Sequence, residues 1–184
     1  DCGKPLLKGA AVDRGRFTGV AEPYLARPRT SSLMAQLDAI FFEASGTKTF
    51  ASSEACATFR ERWLGRYLAH DAQHAFLAVA GAGSPGETLA GYLVGSIEDP
   101  ALAPRFDDLG YFKALSHLTS RYPAQLHVNL ASSWQGRGVG TALLAGCTTQ
   151  STGGASRDRV TASDETDASK RARVRFELAA ALDA

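Results

Sequence analysis

Three glycines and one arginine stand close together in the stretch WQGRGVGTALL, residues 134–144. Gly136, Gly138 and Gly140 alternate along it, and Arg137 lies between the first two. A strand that enters a helix through such a loop leaves backbone N–H groups without intrahelical partners, and the helix dipole adds positive potential. These features favour phosphate binding, with the arginine adding a charge-assisted hydrogen bond. The alternative interpretation is a tight strand-to-helix turn without a ligand.

The loop does not fit two well-defined phosphate-binding motifs. It lacks the Lys-Ser/Thr ending of a P-loop, and it misses the dinucleotide fingerprint G-x-G-x-x-G by one residue. A dinucleotide-binding fold also places this loop after its first strand, whereas only residues 141–184 follow Gly140. These residues are too few for a doubly wound sheet, so a dinucleotide-dependent oxidoreductase is the weakest alternative.

Hydrophobic spacing predicts the elements that position the loop. An N-terminal arm, residues 1–30, is broken by glycines and prolines and contains one short strand at 16–20. The remaining predicted elements are helices over 32–45 and 53–71, a β-hairpin over 75–97, an excursion over 99–123 with a helix near 107–120, a strand over 124–131 and a helix from 139.

Composition argues against several classes of function. The net charge of +1 is not that of a nucleic-acid-binding protein, and no apolar run reaches the ~20 residues of a membrane helix. Cys2, Cys56 and Cys147 are too far apart for a metal-ligand pair, and we expect reduced thiols. His70 and His74 lack a nearby carboxylate cluster, so we expect no metal site. The N-terminus shows no secretory signal pattern, and we expect a cytoplasmic protein.

In this order of elements, the segment LHVNLASSWQGRGVGTALL resembles the acetyl-CoA-binding motif of the GCN5-related N-acetyltransferase (GNAT) superfamily, Q/R-x-x-G-x-G/A. Gln135, Gly138 and Gly140 match the motif in register. The resemblance extends over residues 10–150, and the stretch RYPAQLHVNLASSWQGRGVG is similar to bacterial acetyltransferases related to the acetyltransferase-like domain of O-GlcNAc hydrolases. It implies an α/β (α+β) fold with a mixed, mostly antiparallel central sheet, flanked by helices and splayed between the family's strands four and five.

The resemblance also implies acetyl-CoA as co-substrate. The pantetheine arm would pair with the edge of the family's fifth strand at Val128 and Leu130. The Leu130 N–H would stabilise the developing oxyanion, an interaction worth ~3 kcal/mol where such a donor has been removed from an enzyme. The CoA pyrophosphate would bind the backbone N–H groups of Gln135, Gly136, Arg137, Gly138, Val139, Gly140 and Thr141.

Candidates for the base and acid of an amine acetylation are few. Glu98 and Asp99, at the end of the family's fourth strand, stand where some relatives carry a carboxylate that deprotonates the amine. A solvated strand end before Pro100 is the alternative interpretation. Four further residues belong either to the acceptor pocket or to ordinary packing: His127, Asn129, Tyr92 and Tyr111.

The C-terminal tail, residues 147–184, departs from the family pattern. RVRFE stands where the family has N-V-R-F-Y, so Glu177 replaces the tyrosine that serves as general acid. Too few residues follow for a normal seventh strand, which predicts an edge completed by a partner chain, as in a homodimer, or by the N-terminal arm.

The sequence thus predicts one domain over residues 1–184 that transfers an acetyl group from acetyl-CoA to a small-molecule or peptide amine. The alternative is a CoA-binding module without catalysis, which the replaced tyrosine favours. Neither interpretation involves a nucleic acid, a membrane or a metal.

Overall fold

The computed structural model describes residues 15–151 of the chain. These residues fall into two compact units, 15–94 with 128–151, and 95–127. The strands are β1 (Val20–Pro23), β2 (Phe76–Ala80), β3 (Thr88–Ser96) and β4 (Gln125–Leu130), and the helices are α1 (Ser31–Ala44), α2 (Ser53–Arg60), α3 (Arg66–His70), α4 (Tyr111–Ala114), α5 (Ser116–Thr119) and α6 (Val139–Ser151).

The strands form one antiparallel sheet in the order β1-β2-β3-β4. The register pairs Val20 with Val79 between β1 and β2, and Phe76 with Leu93 between β2 and β3. The expected architecture, a mostly antiparallel sheet flanked by helices, is confirmed. The first strand lies later than predicted, since β1 begins at Val20 and ends at Pro23.

Glycines in β3 let β4 approach closely. A Cβ atom on Gly91 would lie 2.8 Å from the carbonyl oxygen of Asn129, and one on Gly95 would lie 2.7 Å from that of Gln125. Real side chains do not tolerate such distances, so only glycine permits this pairing. The splay expected between the family's strands four and five is therefore not found along these residues.

Helix α1 supplies much of the core of the first unit. Its N-cap is Thr30, whose Oγ1 accepts a hydrogen bond from the Leu33 N–H at 3.2 Å. Leu37 and Ile40, one turn apart, are almost fully buried. The helix predicted over 32–45 is confirmed.

The helix predicted over 53–71 is interrupted by a π-helical turn, Glu61–Gly65, between α2 and α3. The extra residue in such a turn rotates the following helix, so the buried face shifts along the sequence. Leu64 and Tyr67 are fully buried, whereas Trp63, which regular helical spacing places on the same side as Tyr67, is half-buried. The helical segment is confirmed, but the π-helical turn displaces its buried face.

The second unit, residues 95–127, contains only short elements besides the ends of β3 and β4. The helix predicted near 107–120 is two helices, α4 and α5, because Leu115 (φ −98°, ψ 16°) leaves helical geometry between them. Phe106 and Leu109 are buried, whereas Leu102 is 79% exposed.

Several predictions fall on residues outside the described range: most of the N-terminal arm, Cys2, and the tail with Glu177. Among residues 15–151, Cys56 is disulfide-bonded, so the expectation of a reduced thiol is wrong at this position. Cys147 on α6 keeps its thiol. No helix in the same range is long and apolar enough to cross a bilayer.

Candidate functional site

The glycine loop connects β4 to α6 through a short 3₁₀ turn, Ser132–Trp134. Gly136 (φ 72°) and Gly138 (φ 86°) lie in the left-handed region of backbone conformation. A side chain there costs roughly 1–2 kcal/mol, which explains why the sequence uses glycine. Gly140 has no positive φ, so the first two glycines form the turn and the third lies in the first turn of α6. A Cβ on any of the three would meet no atom within 4 Å.

Backbone N–H groups of the loop are available for a ligand. Within residues 15–151, no carbonyl accepts a hydrogen bond from the N–H groups of Gly136, Gly138, Val139, Gly140 or Thr141. The first hydrogen bond that leads back into the loop runs from the Ala142 N–H to the Gly138 carbonyl at 3.1 Å. The loop and the first turn of α6 therefore present a row of donors at the positive end of the helix dipole. This is the geometry of a phosphate site.

An arginine from the N-terminal segment joins the loop. Arg16 and Gly15 line an open depression of about 330 Å³ together with Gly136, Arg137 and Gly138. The neighbouring Phe17 N–H donates to the Arg137 carbonyl at 2.9 Å, which holds the segment against the loop. Arg16 was missed by sequence reasoning, because nothing in a glycine- and proline-broken arm indicates contact with a loop so distant in sequence.

The Arg137 side chain stacks on an aromatic pair. Its guanidinium carbon lies 5.3 Å from the ring centroid of Trp134, and Phe17 meets that ring edge-on at 5.8 Å. A cation over an aromatic face is stabilised electrostatically. The stacking restricts where the charge of Arg137 lies, beside the depression that its backbone helps to line.

The end of β4 exposes main-chain donors at the outer side of the sheet. The Ala131 N–H donates to the Ala90 carbonyl at 3.0 Å. In an antiparallel pair, successive residues alternate between facing the neighbouring strand and facing away from it. The N–H groups of Leu130 and, two residues earlier, Val128 therefore point away from β3. In the described part of the chain, β4 is the last strand of the sheet.

Tyr92 and Asn129 form a cross-strand pair in the first unit. The Asn129 Nδ2 donates to the Tyr92 hydroxyl oxygen at 2.7 Å. Tyr92 is fully buried and Asn129 half-buried. Burial raises the pKa of Tyr92 well above its usual value, and the Asn129 hydrogen bond lowers it by less. Of the two alternatives at Tyr92, the structure favours a core residue.

Glu98 and Asp99 belong to the second unit, whereas the glycine loop belongs to the first. The Glu98 Oε2 forms an ion pair with the Arg105 Nη2 at 3.3 Å, and the Glu98 side chain is 54% exposed. The Asp99 Oδ1 accepts from the Ala101 N–H at 2.9 Å, which makes Asp99 a turn residue. Tyr111 is 48% exposed. His127 is half-buried.

The described residues contain no group of three or more His, Cys, Asp or Glu side chains placed to hold a metal ion. His70 ends α3, whereas His74 lies in a separate 3₁₀ turn, Ala72–His74. The two histidines are thus not on one helix.

No protein-family model and no curated protein matches the chain. Among solved structures, the chain is similar to that of SsHAT, with 22% identity over 72% of this chain and 78% of that chain, and a TM-score of 0.47.

Proposed function

We propose that this protein is an acetyl-CoA-dependent N-acetyltransferase that acts on a primary amine. One observation carries the proposal: the first unit holds two sets of outward-facing N–H groups joined by one short turn, the glycine loop and the edge of β4. The first set is suited to phosphates, and the second to an extended chain of amides. CoA has a pyrophosphate followed by a pantetheine arm with two amides.

The donor set of the loop fits the phosphates. The N–H groups of Gly136 and Gly138 have no carbonyl partner in the described range, and the open space beside both glycines admits phosphate oxygens. Arg16 and Arg137 line the same depression and add positive charge. Charge-assisted hydrogen bonds of this kind are about twice as strong as neutral ones.

The edge of β4 supplies the remaining contacts of the proposal. The pantetheine amides pair with the main chain at Val128, as a strand pairs with a sheet edge. The Leu130 N–H donates to the thioester carbonyl oxygen, where negative charge develops. The amine nitrogen attacks the carbonyl carbon, a C–N bond forms, the C–S bond breaks, and CoA leaves as a thiolate.

The proton of the amine requires a base and the thiolate an acid. We keep Glu98 as the proposed base, since its half-exposed carboxylate is accessible to a substrate. Glu177 is the proposed acid and lies outside the described residues. If Glu98 is the base, Glu98→Gln lowers kcat/KM, while the dissociation constant for acetyl-CoA stays unchanged.

Two measurements test the function. Isothermal titration with acetyl-CoA is expected to show binding, and release of CoA thiol in the presence of an amine panel is expected to show turnover. Because Cys147 keeps a thiol, the amine-free reaction serves as the blank. Absence of acetyl-CoA binding contradicts the proposal.

Binding without amine-dependent thiol release identifies the alternative, a CoA-binding module without catalysis. The proposal further includes a small-molecule or peptide amine as acceptor, assembly into a homodimer and a cytoplasmic location. The disulfide at Cys56 weighs against the last of these, because disulfides are rare in the cytosol. Sedimentation of the full chain tests the homodimer.

A further inference from the structure

The side-chain amide of Asn129 has one end held and the other end open. Its Nδ2 donates to Tyr92, while no described residue donates to its Oδ1. Asn129 is half-buried, so part of its surface reaches solvent. The Tyr92 hydroxyl thus fixes the orientation of the amide and leaves its carbonyl oxygen without a donor among the described residues.

The open oxygen lies next to the proposed reaction centre. Asn129 directly precedes Leu130, so their Cα atoms are about 3.8 Å apart. A thioester whose oxygen accepts from the Leu130 N–H continues the edge of the sheet, and a nucleophile must approach it from one face of the sheet. Tyr92 is fully buried and Asn129 half-buried, so on their shared face of the sheet the pair reaches solvent only at Asn129. An amine approaching from that face meets the Asn129 amide.

We infer that Asn129 binds the acceptor amine through its Oδ1, and that Tyr92 is a positioning residue that orients this amide. The inference rests on the proposed function. An amide oxygen accepts a hydrogen bond from a neutral amine without the strong preference for the ammonium ion that a carboxylate has. The pair therefore holds the acceptor in the form that attacks the thioester.

The polar groups near the pair are consistent with this role. The Asp38 carboxylate accepts from the Arg60 Nε at 2.6 Å, so its charge is largely balanced. The acceptor therefore meets a neutral amide beside a balanced ion pair, rather than an isolated carboxylate.

Asn129→Leu and Asn129→Asp test the inference in the full chain, with ethylamine, Nα-acetyl-lysine and spermidine as probes. In Asn129→Leu, the KM for the best amine should rise about tenfold, the loss of one hydrogen bond, while the Kd for acetyl-CoA stays within about twofold. In Asn129→Asp, the acid limb of kcat should move to higher pH, because a carboxylate raises the pKa of the bound amine. A merely structural residue would not shift that limb.

Tyr92→Phe should raise the amine KM by a smaller factor, about threefold, since the amide is present but no longer held. Tyr24→Phe is the matched control, because Tyr24 is also buried in the first unit and should leave both constants unchanged. An unchanged amine KM in Asn129→Leu, or an equal rise in the acetyl-CoA Kd, overturns this inference alone. A wild type that binds acetyl-CoA but acetylates no amine overturns the proposed transfer, and the inference with it.

Discussion

The glycine loop and the Tyr92–Asn129 pair, both in the first unit, present polar groups in opposite ways. The loop uses backbone N–H groups, and its residues Gly136 and Gly138 are exposed, with no atom within 4 Å of an added Cβ. The pair uses side chains, one of them fully buried. Substitutions should therefore separate the two regions: added volume in the loop blocks a ligand without unfolding the protein, whereas lost volume in the buried core of the same unit lowers the free energy of unfolding.

Gly138→Trp should abolish acetyl-CoA binding, the largest effect we expect. The indole ring would extend into the open depression, and the positive φ adds roughly 1–2 kcal/mol of strain, which a folded domain tolerates. Isothermal titration measures the loss, and circular dichroism verifies the fold. Gly46→Ala is the control, since Gly46 has open space and no positive φ. Retained binding in Gly138→Trp would show that the loop is only a turn.

Leu37→Ala should lower stability and leave acetyl-CoA binding intact, the reverse of Gly138→Trp. Leu37 is fully buried on α1, so truncation leaves a cavity and lowers the free energy of unfolding by about 2–5 kcal/mol. Acetyl-CoA affinity per folded molecule should change little. Urea unfolding measures the first quantity and titration below the transition the second, with the exposed Leu102→Ala as control. A large loss of affinity at unchanged stability would contradict the separation of the two regions.

Arg16→Gln should weaken acetyl-CoA binding by about tenfold, since one charge-assisted hydrogen bond is lost and the backbone donors remain. The wild-type affinity should also fall more steeply with salt than that of the variant. The matched ligand is acetyl-pantetheine, which has no phosphate and should bind both proteins equally. Equal weakening for both ligands would place Arg16 outside the phosphate site.

The smallest effect is expected when the protein is titrated to alkaline pH and the ionisation of its tyrosines is followed. Burial disfavours the charged phenolate, which raises the pKa of Tyr92, so this residue should stay protonated at pH values where exposed tyrosines ionise. Absorbance at 295 nm should therefore rise equally in native wild type and in Tyr92→Phe up to about pH 11. In denaturant, the wild type should show one more ionising tyrosine. A difference in absorbance between the two native proteins below that pH would mean that the Tyr92 hydroxyl is accessible to solvent.

The loop was predictable because its information is local. Gly136 and Gly138 need a left-handed backbone, and that requirement is visible in the spacing of the residues between strand and helix. The resemblance to the acetyltransferase family likewise indicated Val128 and Leu130 at the edge of this strand. Sequence reasoning was less accurate at Trp63, because a single π-helical turn changes which side chains point inward.

The partners of these elements were not predictable. Arg16 reaches the loop only because the Phe17 N–H bonds to Arg137, a contact between residues far apart in the chain. Asn129 has several ordinary roles in a strand, and only the register of β3 against β4 gives it Tyr92 as a partner. The same register replaced the expected splay by close pairing at Gly91.

By itself, the sequence determined the glycine loop, the helix that follows it and the alternation of the strand before it. These depend on backbone conformation and on the period of apolar residues, which neighbours along the chain decide. The tertiary structure alone decided that β4 lies at the outer side of the described sheet and that Arg16 adds its charge to the loop. It also decided that Asn129 is held by a buried tyrosine. Such contacts depend on which distant segments pack together to bury apolar surface, and local spacing does not encode them.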